Sequence, residues 1–448
     1  MVGSGLRSEP TKLYYDTITN SMIAGGGFRK ADEKWITGIA RWNGSYWDSL
    51  GHGLNFFDTL GSPNASVCSV WGMTRFNGDL YCTGNFFKAG HDSIFGFAKW
   101  NGTDWDSVTG ASITPYRTVW EVLNYNNELY ICGGFDSVGN VPADGIAKWN
   151  GTSWAAIGSN YDFADQAEAT SLQEMIFYHG NLYVSGGFYD PQGNFCRLAK
   201  WDGANWTFFT SVVTGGLAFI WDFEIYNDEL YIGGLFLQTS GSVATSIIRW
   251  NDTTWRDVGG SIEVGANAYP TVCDMTVHNG KLYCAGSFEI VGGINAPFLA
   301  SWDGTDWCGF GSIFDNKLLQ VAFYEDTMYV AGEFWTIDGD SITNIAKWIG
   351  GSFMDTCGNT TVIAEHSSQT VQVNIFPNPA SDIVSFKFEN GADRTLSVTD
   401  ELGREIWRKE SNESNIEFPA SKFAMGIYYY SILQNRTPAA YGKLLIVR

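Results

Sequence analysis

The sequence predicts an all-β protein: a seven-bladed β-propeller followed by a small Ig-like β-sandwich. Three observations carry this. A Trp-containing turn recurs seven times, a second motif recurs at a near-fixed distance upstream of it, and both stop near residue 357, where strands of another kind begin. The composition agrees, with 19 Trp, 21 Tyr and 52 Gly in 448 residues against only 11 Pro. Many strands, tight turns and aromatic packing units produce that mixture.

The turn reads WNG at Trp42, Trp100 and Trp149, WDG at Trp201 and Trp302, WND at Trp250 and WIG at Trp348. Five residues after each stands a second aromatic: Trp47, Trp105, Trp154, Trp206, Trp255, Trp307 and Phe353. Upstream lies a motif of the type LYxxGxF, whose Phe is Phe28, Phe86, Phe135, Phe188, Phe236, Phe288 or Phe334. That Phe precedes the Trp by 14 residues in six copies and by 13 in the fourth. Further upstream, segments such as VWGMTRFNGD and VWEVLNYNNE end in turns.

Each copy therefore supplies four β-type runs: a ends in the upstream turn, b is LYxxGxF, c is of the type Ile146–Trp149, and d starts at the second aromatic. Asn-Gly, Asp-Gly or close relatives at the a–b and c–d joints tolerate the positive φ that two-residue hairpins require. Four such runs make an antiparallel meander. One meander cannot bury both faces alone, but seven stacked radially can. Because every copy has the paired aromatics and six have the Tyr of LY, these are expected to pack between sheets. The repeats span residues 12–357, after an N-terminal tail of residues 1–11. The sequence does not show how the ring closes.

The repeats resemble kelch-type propeller repeats, and more closely the bacterial kelch-like form LYVGGxF…IAxWNGxxW of secreted proteins. That resemblance implies a propeller but no particular activity, since such folds serve oxidases, lyases and binding proteins alike.

Residues 358–370 are polar and read as a linker. From residue 371 to 448 a different unit follows, in which Val384, Phe386 and Phe388 alternate with Ile383, Ser385 and Lys387, as in half-buried strands. Five to seven such runs suggest a sandwich. The unit resembles the type A C-terminal sorting domain of the type IX secretion system. The matching residues are Pro377-Asn378-Pro379, Asp400 and Gly403 in TDELGRE, Gly426 in MGIYYY, and the closing run from Lys443 to Val447. The resemblance implies a secreted or outer-surface location in a Bacteroidetes-type bacterium, with the secretion machinery as partner. Type IX cargo carries a signal peptide, yet Met1 to Pro10 has no apolar core, so the N-terminus is expected to be truncated or engineered.

The charge of −21, from 27 Lys plus Arg against 48 Asp plus Glu, argues against a nucleic-acid partner. No run reaches the ~18 apolar residues of a transmembrane helix. Eight cysteines at irregular spacing predict one or two disulfides at most. The five His show neither HxH nor HxxxH spacing, so no metal or other cofactor is expected. A structural calcium at DGDS, residues 338–341, has only a weak motif behind it.

Two sets of residues are candidates for binding. The b–c and d–a connections are long and variable and fall on one rim, where binding residues usually lie. Their aromatics include Trp35, Tyr161, Phe163, Tyr189 and Trp335, alongside Phe56 and Phe57. In strand a, the position eight residues before the L of LY is Glu121, Glu174, Asp222 and Asp274, then Gln320. These would stand at one depth around the axis, either facing a channel or accepting N–H groups of neighbouring sheets. No catalytic motif appears, so no catalytic residue is assigned. The expectation is a surface module that binds a glycan, protein or other ligand. The alternatives are a carbohydrate-active lyase or hydrolase using acidic residues, and a purely structural adhesion component.

Overall fold

The computed structural model describes residues 5–55, 68–114, 117–158, 171–213, 218–236, 245–265, 269–311, 314–348, 373–400, 405–434 and 437–447. The chain is all-β, and it divides near residue 348 into two compact units.

In the first unit, the described residues form seven antiparallel meanders in chain order. Six have four strands, and the seventh has three, because the residues expected to supply its strand d lie outside those described. Strand a is Pro10–Asp16, Ser69–Phe76, Val119–Tyr125, Leu172–Tyr178, Phe219–Tyr226, Thr271–His278 and Leu318–Tyr324 in the first to seventh sheets. Each strand a packs against strand a of the next sheet, and the seventh packs against the first, so the series closes on itself. The closing contacts are non-covalent: Leu13 N–H donates to Gln320 Oε1 at 3.2 Å and Tyr324 O–H to Asn20 O at 3.1 Å. Ordered structure starts before residue 12, since buried Leu6 bridges to Ala31.

The turn chemistry explains the meanders. In the second to seventh sheets the a–b joint is a two-residue turn with both residues at positive φ, such as Asn77-Gly78 and Asn227-Asp228. The c–d joint differs from the two-residue hairpin expected. Trp42 pairs with Trp47 and Trp100 with Trp105, leaving four residues between them. The reason is the Asn of WNG. Asn101 Oδ1 accepts the N–H groups of Thr103 and Asp104 at 2.9 Å each, and Asn43, Asn150, Asp202, Asn251 and Asp303 repeat that arrangement. The side chain replaces a backbone carbonyl and closes a wider turn.

The core of this unit is distributed between sheets. One cluster joins Met22, Phe28, Trp42 and Trp47 of the first sheet to Tyr324, Tyr329 and Ile345 of the seventh, and others join successive sheets. The Phe of every LYxxGxF copy is buried. The Trp pair lies directly across strands c and d, with centroids 4.4–5.5 Å apart. The second Trp then ties its sheet to the preceding one: Trp105 Nε1–H donates to Leu50 O, Trp154 to Thr109 O and Trp307 to Val258 O. A buried indole N–H needs such a partner. Cys68, Cys82, Cys132, Cys196, Cys273 and Cys284 are free thiols, whereas Cys308 is disulfide-bonded.

The second unit consists of two antiparallel sheets over one core. Val373–Phe376, Val384–Phe388 and Asn415–Phe418 form one sheet, and Glu405–Ser411, Arg394–Thr399, Gly426–Gln434 and Thr437–Ile446 the other. Val384, Phe386 and Phe388 point inward, as their alternation requires.

Candidate functional site

Strand a of every sheet in the first unit has the same interruption. Its register against strand b skips a residue, for example between Val119 and Glu121 and between Ile220 and Asp222. The skipped residues are Thr11, Trp71, Trp120, Trp221, Cys273 and Leu319, and in the fourth sheet Gln173 together with Glu174. Such a β-bulge re-aims consecutive side chains toward one side. Here the skipped residues line a cavity of about 560 Å³ at the end of the unit where each strand a begins. Phe219, Tyr269, Thr271 and Lys317 also line it.

The residue after each bulge, or in the fourth sheet the second residue of the bulge itself, forms a ring below: Lys12, Gly72, Glu121, Glu174, Asp222, Asp274 and Gln320. The four carboxylates singled out from the sequence thus stand together. Two of them are also held by the neighbouring sheet. Met275 N–H donates to Asp222 Oδ2 at 2.6 Å and Val321 N–H to Asp274 Oδ2 at 2.8 Å, while Gln320 Nε2 donates to Asp274 Oδ1 at 3.0 Å. Glu121 instead curls back, and its Oε1 accepts the Val122 N–H.

The electrostatics of the ring follow from burial. Desolvation, with the charge of Glu121 added, holds Glu174 well above the usual carboxylate range. Asp222 is raised by burial and by the charges of Asp274 and Glu174. Burial pushes Asp274 up to about 6 against the pull of Lys12. Burial alone would lower the Lys12 pKa, but the surrounding carboxylates, Glu121 foremost, raise it. The ring therefore keeps its ammonium charged, and burial shifts its carboxyls toward the protonated form.

Lys12 was not visible from the sequence count. The a–b turn of the first sheet has four residues between Asp16 and Ser21 instead of two, which shifts the ring position by two. The cavity tryptophans were missed as well. Trp71, Trp120 and Trp221 stand outside the WNG pairs, each directly before a ring residue, and that placement was the available signal. Trp71 and Trp120 stack at 4.0 Å and 20°, and Trp221 is 43% exposed.

The aromatics expected to bind sit elsewhere. Trp35 (76% exposed) and Trp335 (66%) lie in b–c connections and do not line the cavity. Lys30 Nζ lies 4.9 Å over the Trp35 ring, and Trp335 N–H donates to Asp315 Oδ1. Tyr189 meets Phe195 edge-on at 5.3 Å. Tyr161, Phe163, Phe56 and Phe57 fall outside the described residues, as does Gly403. DGDS is a hairpin turn, with Asp338 and Gly339 at positive φ between paired Ile337 and Asp340.

In the second unit, Asn378 acts as a backbone surrogate. Its Nδ2 donates to Lys443 O and its Oδ1 accepts the Leu445 N–H, both at 2.8 Å. Ala380 N–H donates to Leu445 O and Val447 N–H to Ala380 O. Pro377 and Pro379 flank that clip, Lys443 is exposed beside it, and Gly426 opens the strand paired with Ile446.

Residues 374–447 match the family described as the secretion system C-terminal sorting domain. The chain is a secreted or cell-surface protein, and its tail implies an interaction with the type IX secretion machinery. Among the described residues no helix is long and apolar enough to cross a membrane. A curated relative, the ulvan lyase NLR42 of Nonlabens ulvanivorans, is 23% identical over 239 residues, covering 50% of this chain and 40% of the lyase. The chain thus spans less than half the length of that relative. Among solved structures, the extracellular domain of BT4673 from B. thetaiotaomicron is 12% identical at a TM-score of 0.45, covering 98% of this chain and 57% of that one. PorZ, a surface component of the type IX secretion system of Porphyromonas gingivalis, is 14% identical at 0.38, covering 96% and 64%.

Proposed function

We propose that the first unit is a seven-bladed, kelch-like β-propeller that binds a saccharide at the mouth of its axis, and that the Ig-like sandwich following it in the sequence directs export. The single observation that carries this reading is the cavity wall. Bulges of the second, third and fifth sheets bring Trp71, Trp120 and Trp221 to one concave site, which Tyr269 also lines. Flat aromatic faces over a floor of amide, ammonium and carboxyl groups suit sugar rings, whose apolar faces stack and whose hydroxyls need both donors and acceptors. The overall charge of −21 favours a neutral glycan over a polyanion.

Titration of the full chain with neutral and uronate oligosaccharides, followed by tryptophan fluorescence, tests this. A neutral oligosaccharide is expected to saturate one site, and Trp221→Ala to weaken it at least tenfold. Loss of no affinity in that variant would remove the cavity from the proposal.

A second reading, a carbohydrate-active enzyme acting through Glu174 and Asp222, draws on the similarity to the ulvan lyase. It predicts product release from a polysaccharide by the wild type and none by Asp222→Asn. Asp222 is engaged by the Met275 N–H, which favours binding over turnover.

A further inference from the structure

Two Gly-His dipeptides distant in sequence meet at one carboxylate. Gly51-His52 follows strand d of the first sheet, and Gly90-His91 lies in the b–c connection of the second. A short ladder joins these loops, pairing Ala89 with Leu54 and Lys88 with Asn55, and Gly90 N–H donates to Gly53 O at 3.0 Å. Asp104, from the c–d turn of the second sheet, enters this junction. Its Oδ2 lies 2.6 Å from His52 Nδ1, and its Oδ1 accepts the His52 N–H at 3.2 Å. The His52 and His91 rings have centroids 3.7 Å apart. One ligand atom from each of the three side chains lies within 4.8 Å of the others.

The local backbone leaves room for that carboxylate. A Cβ on Gly51 would come within 2.3 Å of Asp104 Oδ1, and one on Gly90 within 2.9 Å, and both glycines have positive φ. The repeats do not require the histidines. At the His52 position, five residues after the second Trp, other copies have Gly110, Ser159, Ser211, Gly260 and Ser312. At the His91 position, five residues after the buried Phe, they have Gly, Asn or Glu. Both columns depart from the pattern at the one junction where the departures touch.

We propose that His52, His91 and Asp104 bind a divalent transition metal of the Zn²⁺ or Cu²⁺ type, clamping the first sheet to the second. Two imidazoles and a carboxylate are the donor set such ions prefer, and three protein ligands leave one tetrahedral position open to solvent or an outside ligand. Binding replaces the proton shared by His52 Nδ1 and Asp104 Oδ2, which leaves to solvent. Metal bonds of about 2.0–2.1 Å hold ligand atoms farther apart than that hydrogen bond does. Half-exposed His52 is free to make the adjustment. The sequence hid this site because its ligands come from three separate loops, where local HxH or HxxxH spacing is uninformative.

The test is calorimetric titration of the chelator-treated full chain with Zn²⁺, and electron paramagnetic resonance after loading one equivalent of Cu²⁺. One equivalent of Zn²⁺ is expected to bind, with affinity at least tenfold weaker in His52→Ala and in His91→Ala. The Cu²⁺ spectrum is expected to show two nitrogen ligands, falling to one in His91→Ala. His179→Ala, which removes a His held between Asp228 and Asp252, should leave both readouts unchanged. Absence of Zn²⁺ binding, wild-type affinity in His91→Ala, or loss of binding in His179→Ala would each overturn the proposal.

Discussion

Lys12 Nζ stands 3.9 Å from Glu121 Oε2, although the two residues belong to the first and third sheets. The second sheet contributes Gly72 at that level, and its missing side chain is what lets them meet. The Glu121 Oε1 atom occupies the space next to Gly72 where a Cβ would stand. The repeat is thus broken twice in succession, by a cation at the first position and a gap at the second, and the two departures depend on each other.

Lys12→Met should therefore destabilise the first unit. It keeps the length of the side chain but leaves Glu121 buried without its counter-charge, and Glu121 Oε2 already has no hydrogen-bond partner. Removing one partner of a buried pair costs about 3–5 kcal/mol. Urea unfolding of the full chain measures this, with the double variant Lys12→Met, Glu121→Gln expected to recover part of the loss. Equal stability of Lys12→Met and wild type would mean that the carboxyls are neutralised by protons alone.

Gly72→Ala tests the gap directly. The new methyl would lie 2.8 Å from Val122 N and 2.5 Å from Thr83 Oγ1. The hydroxyl can rotate away, but the backbone nitrogen belongs to strand a of the next sheet. Overpacking of this kind costs about 1–3 kcal/mol. The expected signature is a lower urea midpoint with an unchanged slope, because the fold is retained.

The pH dependence has a definite sign. A carboxyl whose pKa is raised by folding keeps a proton that the unfolded chain would release. Stability then falls as pH rises from the ordinary carboxylate value through the folded one. For Asp274 that window runs from 3.8 to about 6, and Glu174 and Asp222 extend it upward. Glu174→Gln mimics the protonated side chain and removes its share of the slope. Its melting temperature should match the wild type near pH 4.5 and exceed it by about 2–4 °C at pH 7. Differential scanning calorimetry across that range checks the crossing, and parallel curves would exclude Glu174 as a bearer of the proton.

The legible part of this protein is the part that repetition enforces. Inter-sheet Trp pairs, buried Phe residues and a–b turns appear in nearly every copy, so seven weak signals add. The ring carboxylates were legible for the same reason, although only Asp222 and Asp274 accept an N–H of the neighbouring sheet. What stayed hidden lies where one copy departs from the rest. Lys12 was displaced by a longer turn, and Trp71, Trp120 and Trp221 needed the bulge to reveal where they point. The four-residue c–d turn looked like a two-residue hairpin because Asn-Gly serves both, and only the Asn side chain's hydrogen bonds separate them. Exposed Trp35 and Trp335 looked suited to binding because loop length marks a rim without marking its inner edge.

Asn378→Ala addresses the tail. Asn378 pairs with both Lys443 O and Leu445 N–H, so one side chain fastens the Pro377–Pro379 segment to the final strand. Truncation leaves a strand-edge carbonyl and an N–H to solvent, and each lost hydrogen bond is worth about 0.5–1.5 kcal/mol. Amide exchange at Leu445 and Val447 should accelerate by roughly tenfold, while exchange in the first unit is unchanged, because the two units have separate cores. Asn378→Asp should exchange faster still, since a carboxylate would face the Lys443 carbonyl with no donor between them. If the final strand must be presented in this register for recognition, both variants will be exported less than wild type by a host with type IX machinery. Normal export alongside accelerated exchange would instead show that the machinery reads the tail in a form that does not need this clip.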